Sequence, residues 1–330
     1  MSGELLSGRY RLDRILGEGG MGVVWPGTAT SNGSPVAIKC LKTSSGMTRA
    51  EHGRRLAREA RAIRAIDHPN VARVLAVATA ADGSPAIVME LLEGETLRKR
   101  LDREGRLDLA SAAKIVMPVI SALGRAHSLG IVHRDLKPDN VFIGNDGVVR
   151  ILDFGIAKLT AAEGIVAGTG GLTGTGAILG TPYYMSPEQV FSEASIDARA
   201  DVWALGVVLY ECFAGRRPIE GANAGQVLRA ITAEKITPLA QLAPDLPEAI
   251  TDLVSRMLSF ERADRPSDLN EAYDVFRPYS DTAAPTFGPA TNEPPKLVSP
   301  TQRLKYIVPT ALAIALSIAA VWLATHPHDR

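Results

Sequence analysis

Residues 133–140 read His-Arg-Asp-Leu-Lys-Pro-Asp-Asn, and Asp153-Phe154-Gly155 follows a short way on. A run this long and this polar does not arise by chance. In order it supplies a carboxylate able to accept a hydroxyl proton (Asp135), a cation able to neutralise a transferring phosphoryl group (Lys137), and two oxygen ligands for a hard divalent ion (Asn140 and Asp153). That set is what phosphoryl transfer requires, so the reaction class is constrained before the rest of the chain is read. His133 is expected to be a structural core residue rather than a general base.

Two upstream stretches fit the same chemistry. Gly17-Glu18-Gly19-Gly20-Met21-Gly22-Val23-Val24 has the form G-x-G-x-x-G-x-V, in which glycines let backbone N–H groups come close to phosphates. A dinucleotide-binding fold shares the first part of that pattern, but there the last glycine opens a helix. Here Val23-Val24-Trp25 continues as a strand, and Pro26 disfavours a helix interior. Val36-Ala37-Ile38-Lys39 then places a lysine in an apolar strand. Buried there it must meet an anion, and Glu59 on the next helical stretch is the natural partner. Together Lys39 and Glu59 would hold the α- and β-phosphates of a nucleotide and couple helix position to activity.

Hydrophobic periodicity gives an α+β organisation. Arg11–Leu16, Met21–Trp25, Pro35–Leu41 and Pro85–Leu92 read as strands, and Glu51–Ile66 as an amphipathic helix with Leu56, Ile63 and Ile66 on one face. Helical patterns follow at Ala110–Leu129, Ala200–Phe213, Ala224–Ala233 and Leu246–Leu258, with Glu93-Gly94 as the link between a small β-rich lobe and a larger helical one. Residues 1–9 form a tail, and 10–277 the two-lobed domain. Residues 278–305 are proline-rich without apolar periodicity and read as a flexible linker. Residues 306–325 read as a transmembrane helix, leaving a short tail at 326–330. Its stretch Ile307–Thr325 carries no charge and would span about 28 Å as a helix, near the thickness of a bilayer core. Arg303 and Lys305 precede it and Arg330 follows, a bias that puts the large domain in the cytoplasm of a single-pass membrane protein. Met1-Ser2-Gly3-Glu4 has neither the basic start nor the apolar run of a signal peptide. Lys+Arg 36 against Asp+Glu 36 gives no reason to expect nucleic-acid binding, and Cys40 and Cys212 are expected to be buried, reduced thiols.

Together these motifs resemble the eukaryotic-like protein kinases, in particular the membrane-anchored Ser/Thr kinases of bacteria. The resemblance covers residues 10–277 and implies a bilobal protein kinase fold. It also implies ATP and Mg²⁺ as cofactors and Ser/Thr hydroxyls of proteins as substrates, the last because Lys137-Pro138-Asp139-Asn140 has the Lys-Pro-x-Asn form. It makes Asp135 and Lys137 catalytic, and Asn140 and Asp153 metal ligands. Leu16, Gly17, Gly19, Gly22, Val24, Ala37, Lys39, Glu59, Met89, Glu90 and Leu92 become the nucleotide site. Val24 and Ala37 would sandwich adenine, Met89 resembles the gatekeeper, and the backbone of Glu90 and Leu92 would contact the base. Gly180-Thr181 and Ser186-Pro187-Glu188 resemble the end of an activation segment, with Ser186 where alanine is commonest. Glu188 is then expected to pair with Arg265, and Asp201 to hold the catalytic loop. Trp25-Pro26-Gly27 departs from the family, which usually has an aromatic, a basic residue and alanine there. Because proline removes a backbone donor, a local distortion is expected.

Ala161–Gly180 is glycine-rich, and Leu172-Thr173-Gly174-Thr175 resembles an autophosphorylated pair in bacterial relatives. Phosphate on Thr173 and Thr175 would order the loop against Arg134 and Lys158. The span would raise the encounter rate between copies, favouring a homodimer for trans-autophosphorylation. Two other readings stand beside this one. A membrane-tethered pseudokinase scaffold would have no need to retain Lys39, Glu59, Asp135, Asn140 and Asp153 together. A kinase-fold phosphotransferase for small molecules would have no need of the Gly180 to Glu188 platform for protein substrates.

Overall fold

The computed structural model describes residues 3–13, 17–19, 22–41, 56–57, 60–80, 83–154, 182–191, 193, 195–221, 224–232 and 236–280. By internal contacts the chain divides into Met1–Ala290 and Thr291–Arg330, and every described residue lies in the first unit. The expected membrane span at 306–325 and the two threonines at 173 and 175 fall outside the described residues. Among the described residues, one helix, Leu109–Ser128, is long and apolar enough to cross a membrane. Most of it is buried in the core of the large lobe.

The small lobe is a seven-stranded antiparallel sheet: β1 Leu5–Leu6, β2 Tyr10–Leu12, β3 Gly17–Gly19, β4 Gly22–Ala29, β5 Pro35–Leu41, β6 Val74–Thr79 and β7 Pro85–Glu90. Their order is β1-β2-β4-β5-β7-β6, with β3 also on β4. Successive side chains on a strand alternate faces, so the register sorts the residues. Val24 lies opposite Lys39, Ala37 opposite Met89, and Lys39 opposite Ile87, which puts all five on one face. The other face carries Trp25, Val36, Ile38, Ala86 and Val88, which with Leu6 and Leu12 close a separate small core. Ile87 belongs instead to the core continuous with the large lobe, and Met89 packs against it. The face expected to receive a nucleotide is therefore the one turned toward the large lobe.

Pro26 causes no break. The β4–β5 register runs unshifted through Trp25↔Ile38, Pro26↔Ala37 and Gly27↔Val36, so the expected distortion is absent. In an antiparallel strand a residue's N–H and C=O point to the same edge. Pro26 O accepts from Asp13 N at 2.9 Å, so its missing donor faces the β2/β3 edge rather than β5. On that edge β3 pairs with Gly22–Val24 and β2 with Gly27–Ala29, and Pro26 sits in the gap between them. Gly27 is held to glycine by the same packing, since a Cβ there would lie 2.5 Å from Arg11 O and 2.8 Å from Ile38 Cδ1.

The stretch expected to be a helix at Glu51–Ile66 is helical where described, at 56–57 and 60–64, with Leu56, Ile63 and Ile66 buried. The large lobe contains α1 Leu97–Glu104, α2 Leu109–Ser128, α3 Pro187–Val190, α4 Arg199–Ala214, α5 Ala224–Thr232, α6 Leu239–Leu242, α7 Glu248–Met257 and α8 Asn270–Phe276. A second, three-stranded sheet joins β8 Gly94–Thr96, β9 Val141–Gly144 and β10 Val149–Ile151. Four of the helices match the periodic stretches to within a few residues. α1, α3, α6, α8 and the small sheet have no counterpart in the sequence reading. Helix α4 is buried from Ala200 to Phe213 and is apolar there but for Asp201 and Glu211, the pattern of a helix at the centre of a lobe. Gly206 lets α7 come close, because a Cβ would meet Met257 Cβ at 2.8 Å. Gly215, at φ 70°, ends the helix in the left-handed conformation that glycine adopts without strain.

Candidate active site

The polar run at 133–140 forms a loop and one short helical turn, Pro138–Asn140, leading into β9. The loop hangs from one carboxylate. Asp201, fully buried in the first turn of α4, accepts from His127 Nε2 at 2.7 Å, His133 N at 2.7 Å and Arg134 N at 2.8 Å. Burial pushes its pKa up, but the His127 bond and the donors around it outweigh that, so the group stays below the usual carboxylate range. Arg134 has φ 64°, a region non-glycine residues rarely occupy, and Asp201 grips the amide on either side of its neighbour.

His133 is a packing and hydrogen-bonding residue, as expected. Its Nε2 lies 3.0 Å from Leu152 O, its Nδ1 accepts from Asp135 N at 3.2 Å, and its ring stacks obliquely on Phe154 at 4.6 Å. Those bonds select the neutral Nε2–H tautomer and leave no lone pair for a base. Burial holds its pKa below the ordinary value.

Asp135 Oδ2 receives Lys137 Nζ at 2.9 Å and Asn140 Nδ2 at 3.2 Å, and the same Asn140 nitrogen donates to Asp135 O at 2.8 Å. The carboxylate plane is thus fixed by two donors. With its nitrogen so used, Asn140 keeps its amide oxygen for a cation. Leu152 N donates to Asn140 O at 2.8 Å, which sets Asp153 next to Asn140. Asp153 has φ 49° and pairs through Oδ2 with Lys39 Nζ at 2.6 Å. Lys39 is 8% exposed, so the requirement that it meet an anion is satisfied by Asp153. Glu59, the partner expected from sequence, lies outside the described residues, as do Leu16 and Lys158.

Two other features suit a nucleotide. Gly17↔Val24 and Gly19↔Gly22 make the described part of the glycine motif a pair of antiparallel strands leading to Val24. At the lobe link, Glu90 N donates to Arg73 O, so its amide is occupied. Leu92 N meets no acceptor among the described residues and remains able to donate to a planar base. Among the described residues no three His, Cys, Asp or Glu side chains cluster as a metal cage. One carboxylate and one amide oxygen beside a phosphate cradle is instead how Mg²⁺ is held, with substrate oxygens and water completing its shell.

The pattern of the protein kinase domain family matches residues 10–276. The chain belongs to that family. Bacterial Ser/Thr kinases are among its relatives. It is 39% identical over 261 residues to the serine/threonine-protein kinase PknA of Mycobacterium tuberculosis, covering 76% of this chain and 57% of that one. To pkn3 of Myxococcus xanthus it is 36% identical over 280 residues, covering 80% and 49%. To the probable kinase PknB of Bifidobacterium longum it is 31% identical over 307 residues, covering 87% and 42%. The chain therefore spans about half the length of the curated relatives it matches. A crystal structure of Rad53 1–466 with AMP-PNP shares the fold, at TM-score 0.63 and 24% identity over 81% of this chain and 64% of that one.

The kinase domain is tied together behind the site by contacts of two kinds. Glu188 and Arg265, expected as a pair, form a two-pronged bond at 2.8 and 3.0 Å with both side chains out of water. Burial raises the Glu188 pKa, and Arg265 more than reverses it. Other contacts gave no signal in the sequence. Gln189 Oε1 accepts from Ser186 N at 3.1 Å while its Nε2 donates to Arg134 O at 2.8 Å, fastening the substrate-side segment to the catalytic loop. Tyr184 Oη donates to Glu211 Oε2 at 2.5 Å, and Arg98 donates to Glu211 Oε1 at 2.7 Å. Burial first, then Glu211, holds the Tyr184 hydroxyl protonated far above its ordinary range.

Proposed function

We propose that this kinase domain transfers the γ-phosphate of ATP to Ser or Thr hydroxyls of proteins. One observation carries the reading: Asp135, Lys137 and Asn140 are bonded to one another, Asp153 is bonded to Lys39, and the bond from Leu152 N to Asn140 O ties the two groups together. Asp135 accepts the hydroxyl proton as the new O–P bond forms and the bond to the β-phosphate oxygen breaks, releasing ADP. Lys137, bonded to the same carboxylate, stands where the phosphoryl charge passes. Lys39 anchors the α- and β-phosphates, and Asn140 and Asp153 supply oxygens to magnesium. The bound ion would neutralise charge on the phosphate oxygens. The AMP-PNP in the Rad53 structure and the Ser/Thr kinase names of the relatives support the assignment.

Autophosphorylation at Thr173 and Thr175, an anchor at residues 306–325, a cytoplasmic kinase domain and a homodimer for trans-autophosphorylation belong to the same proposal. Their support is the sequence: paired threonines in a glycine-rich segment and an uncharged stretch flanked by Arg303 and Lys305. The deciding experiment is transfer of labelled γ-phosphate with Mg²⁺ by residues 1–280 beside Asp135→Asn, with the sites mapped by mass spectrometry. Phosphate on threonine or serine that vanishes in the variant is expected. ATP binding without any transfer, in this fragment and in the membrane-inserted full chain, would turn the protein into a scaffold. Carbonate extraction of membranes tests the anchor, which fails if the full chain is washed off like residues 1–280.

A further inference from the structure

The substrate-side segment reaches the catalytic loop through the side-chain amide of Gln189, whose orientation is unambiguous. Its Oε1 lies 3.1 Å from Ser186 N and 3.3 Å from Ser186 Oγ, and its Nε2 lies 2.8 Å from Arg134 O. A main-chain nitrogen only donates and a carbonyl only accepts, so exchanging the two ends of the amide would satisfy neither partner. The two ends have different roles. The oxygen completes a capping box at the start of α3, where Ser186 is the N-cap and Gln189 the third helical residue. The nitrogen leaves the helix and bonds a residue 55 positions away in sequence.

Its target is the peptide unit that joins Arg134 to Asp135. The oxygen of that unit, Arg134 O, takes the Gln189 bond, and its N–H, on Asp135, donates to His133 Nδ1 at 3.2 Å. Arg134 stands at φ 64°, a conformation that a residue with a side chain rarely holds unaided. Relaxing that angle would rotate all that follows it, Asp135 first. Asp201 holds the N–H before the strained angle, and Gln189 holds the carbonyl after it. We infer that Gln189 is a positioning residue for phosphoryl transfer: its Nε2–H fixes the Arg134–Asp135 peptide plane and so aims the Asp135 carboxylate at the substrate hydroxyl. The inference rests on the transfer reaction proposed above and adds to it a group that acts through Asp135.

Two substitutions in the full chain separate the two ends of the amide. Gln189→Glu keeps an oxygen for Ser186 N, glutamate being the other usual third residue of a capping box, but turns a second acceptor toward Arg134 O. Gln189→Met keeps the length and removes both bonds. With casein as acceptor, kcat is expected to fall about tenfold to a hundredfold in both variants, with the KM for ATP within about twofold of wild type. The urea midpoint should drop only in the methionine variant. A merely structural cap predicts otherwise, a glutamate variant as fast as wild type beside a slow methionine one. Hydrogen exchange read by mass spectrometry needs no activity: residues 133–140 should exchange about fivefold faster in both variants, as loss of one hydrogen bond implies. A glutamate variant with wild-type kcat, or with wild-type exchange at 133–140, overturns the inference. Should that variant not fold, unchanged exchange in the methionine variant overturns it. A wild-type chain that transfers no phosphate sinks the kinase reading instead, and exchange then decides the positioning role by itself.

Discussion

Replacing Asp201 by asparagine should cost about 3–5 kcal/mol of folding free energy and most of the catalytic rate. The carboxylate accepts two bonds on Oδ2, from His127 and His133, and one on Oδ1, from Arg134. An amide offers one acceptor. Its best placement keeps the oxygen at the Oδ2 position and turns its NH₂ toward the Arg134 N–H. That leaves a buried donor unsatisfied, at about 1–3 kcal/mol, and turns two charge-assisted bonds into neutral ones, at about 1 kcal/mol each. The loss falls on Arg134, whose φ of 64° needs outside support worth about 1–3 kcal/mol. The loop should therefore relax and carry Asp135 out of line, so that kcat falls far more than ATP affinity. Urea unfolding of residues 1–280 followed by circular dichroism gives the first quantity, and labelled-phosphate transfer gives the second. A stability loss under about 1 kcal/mol with an unchanged rate would refute the idea that Asp201 suspends the loop.

Three further outcomes are expected. Gly27→Ala should destabilise the small lobe by about 1–3 kcal/mol, because its Cβ would press on the Arg11 carbonyl, a backbone atom that cannot swing aside. A urea midpoint unchanged from wild type would contradict this. Cys212, fully buried and pushed up to about 12 by that burial, should resist maleimide at about pH 8 until the chain unfolds, while half-buried Cys40 reacts. Mass spectrometry of the native protein decides it, and Cys212 labelled as fast as Cys40 is the failing result. His133 has a folded pKa below 6.5, so the unfolded chain takes up its proton first as pH falls. Its contribution is therefore complete above about pH 6.5 and is lost as the pH falls toward the folded pKa; His68, depressed first by burial, acts in the same direction. Asp201 and Glu188, both lowered, give up theirs only below about pH 4.5. His133→Phe should flatten the upper part of the stability–pH curve, and an unaltered slope would remove His133 from the account.

Much of the fold was legible because long periodic stretches name their own class. Helices α2, α4, α5 and α7 and strand β5 repeat apolar residues often enough to be read directly. Helix α1 was not, because its sequence LRKRLDRE has only Leu97 and Leu101 to bury and its charges mask them. Strands β8 to β10 are three or four residues long, too short for an alternation to declare itself. Cys40 was expected to be buried and is only half so, one residue from the end of β5.

The sequence by itself determined which residues are the candidates for the chemistry. Phosphoryl transfer demands certain residue types at near-fixed spacing, so Asp135, Lys137, Asn140 and Asp153 could be named from their order alone. Tertiary structure decided which groups meet. It gave Lys39 to Asp153, tied Gln189 to the Arg134 carbonyl, and turned the donor-less edge of Pro26 into a gap between two strands. It also left the Trp203 N–H facing no partner among the described residues. These outcomes depend on how elements distant in sequence pack, and a buried polar group is satisfied or orphaned only once that packing is complete.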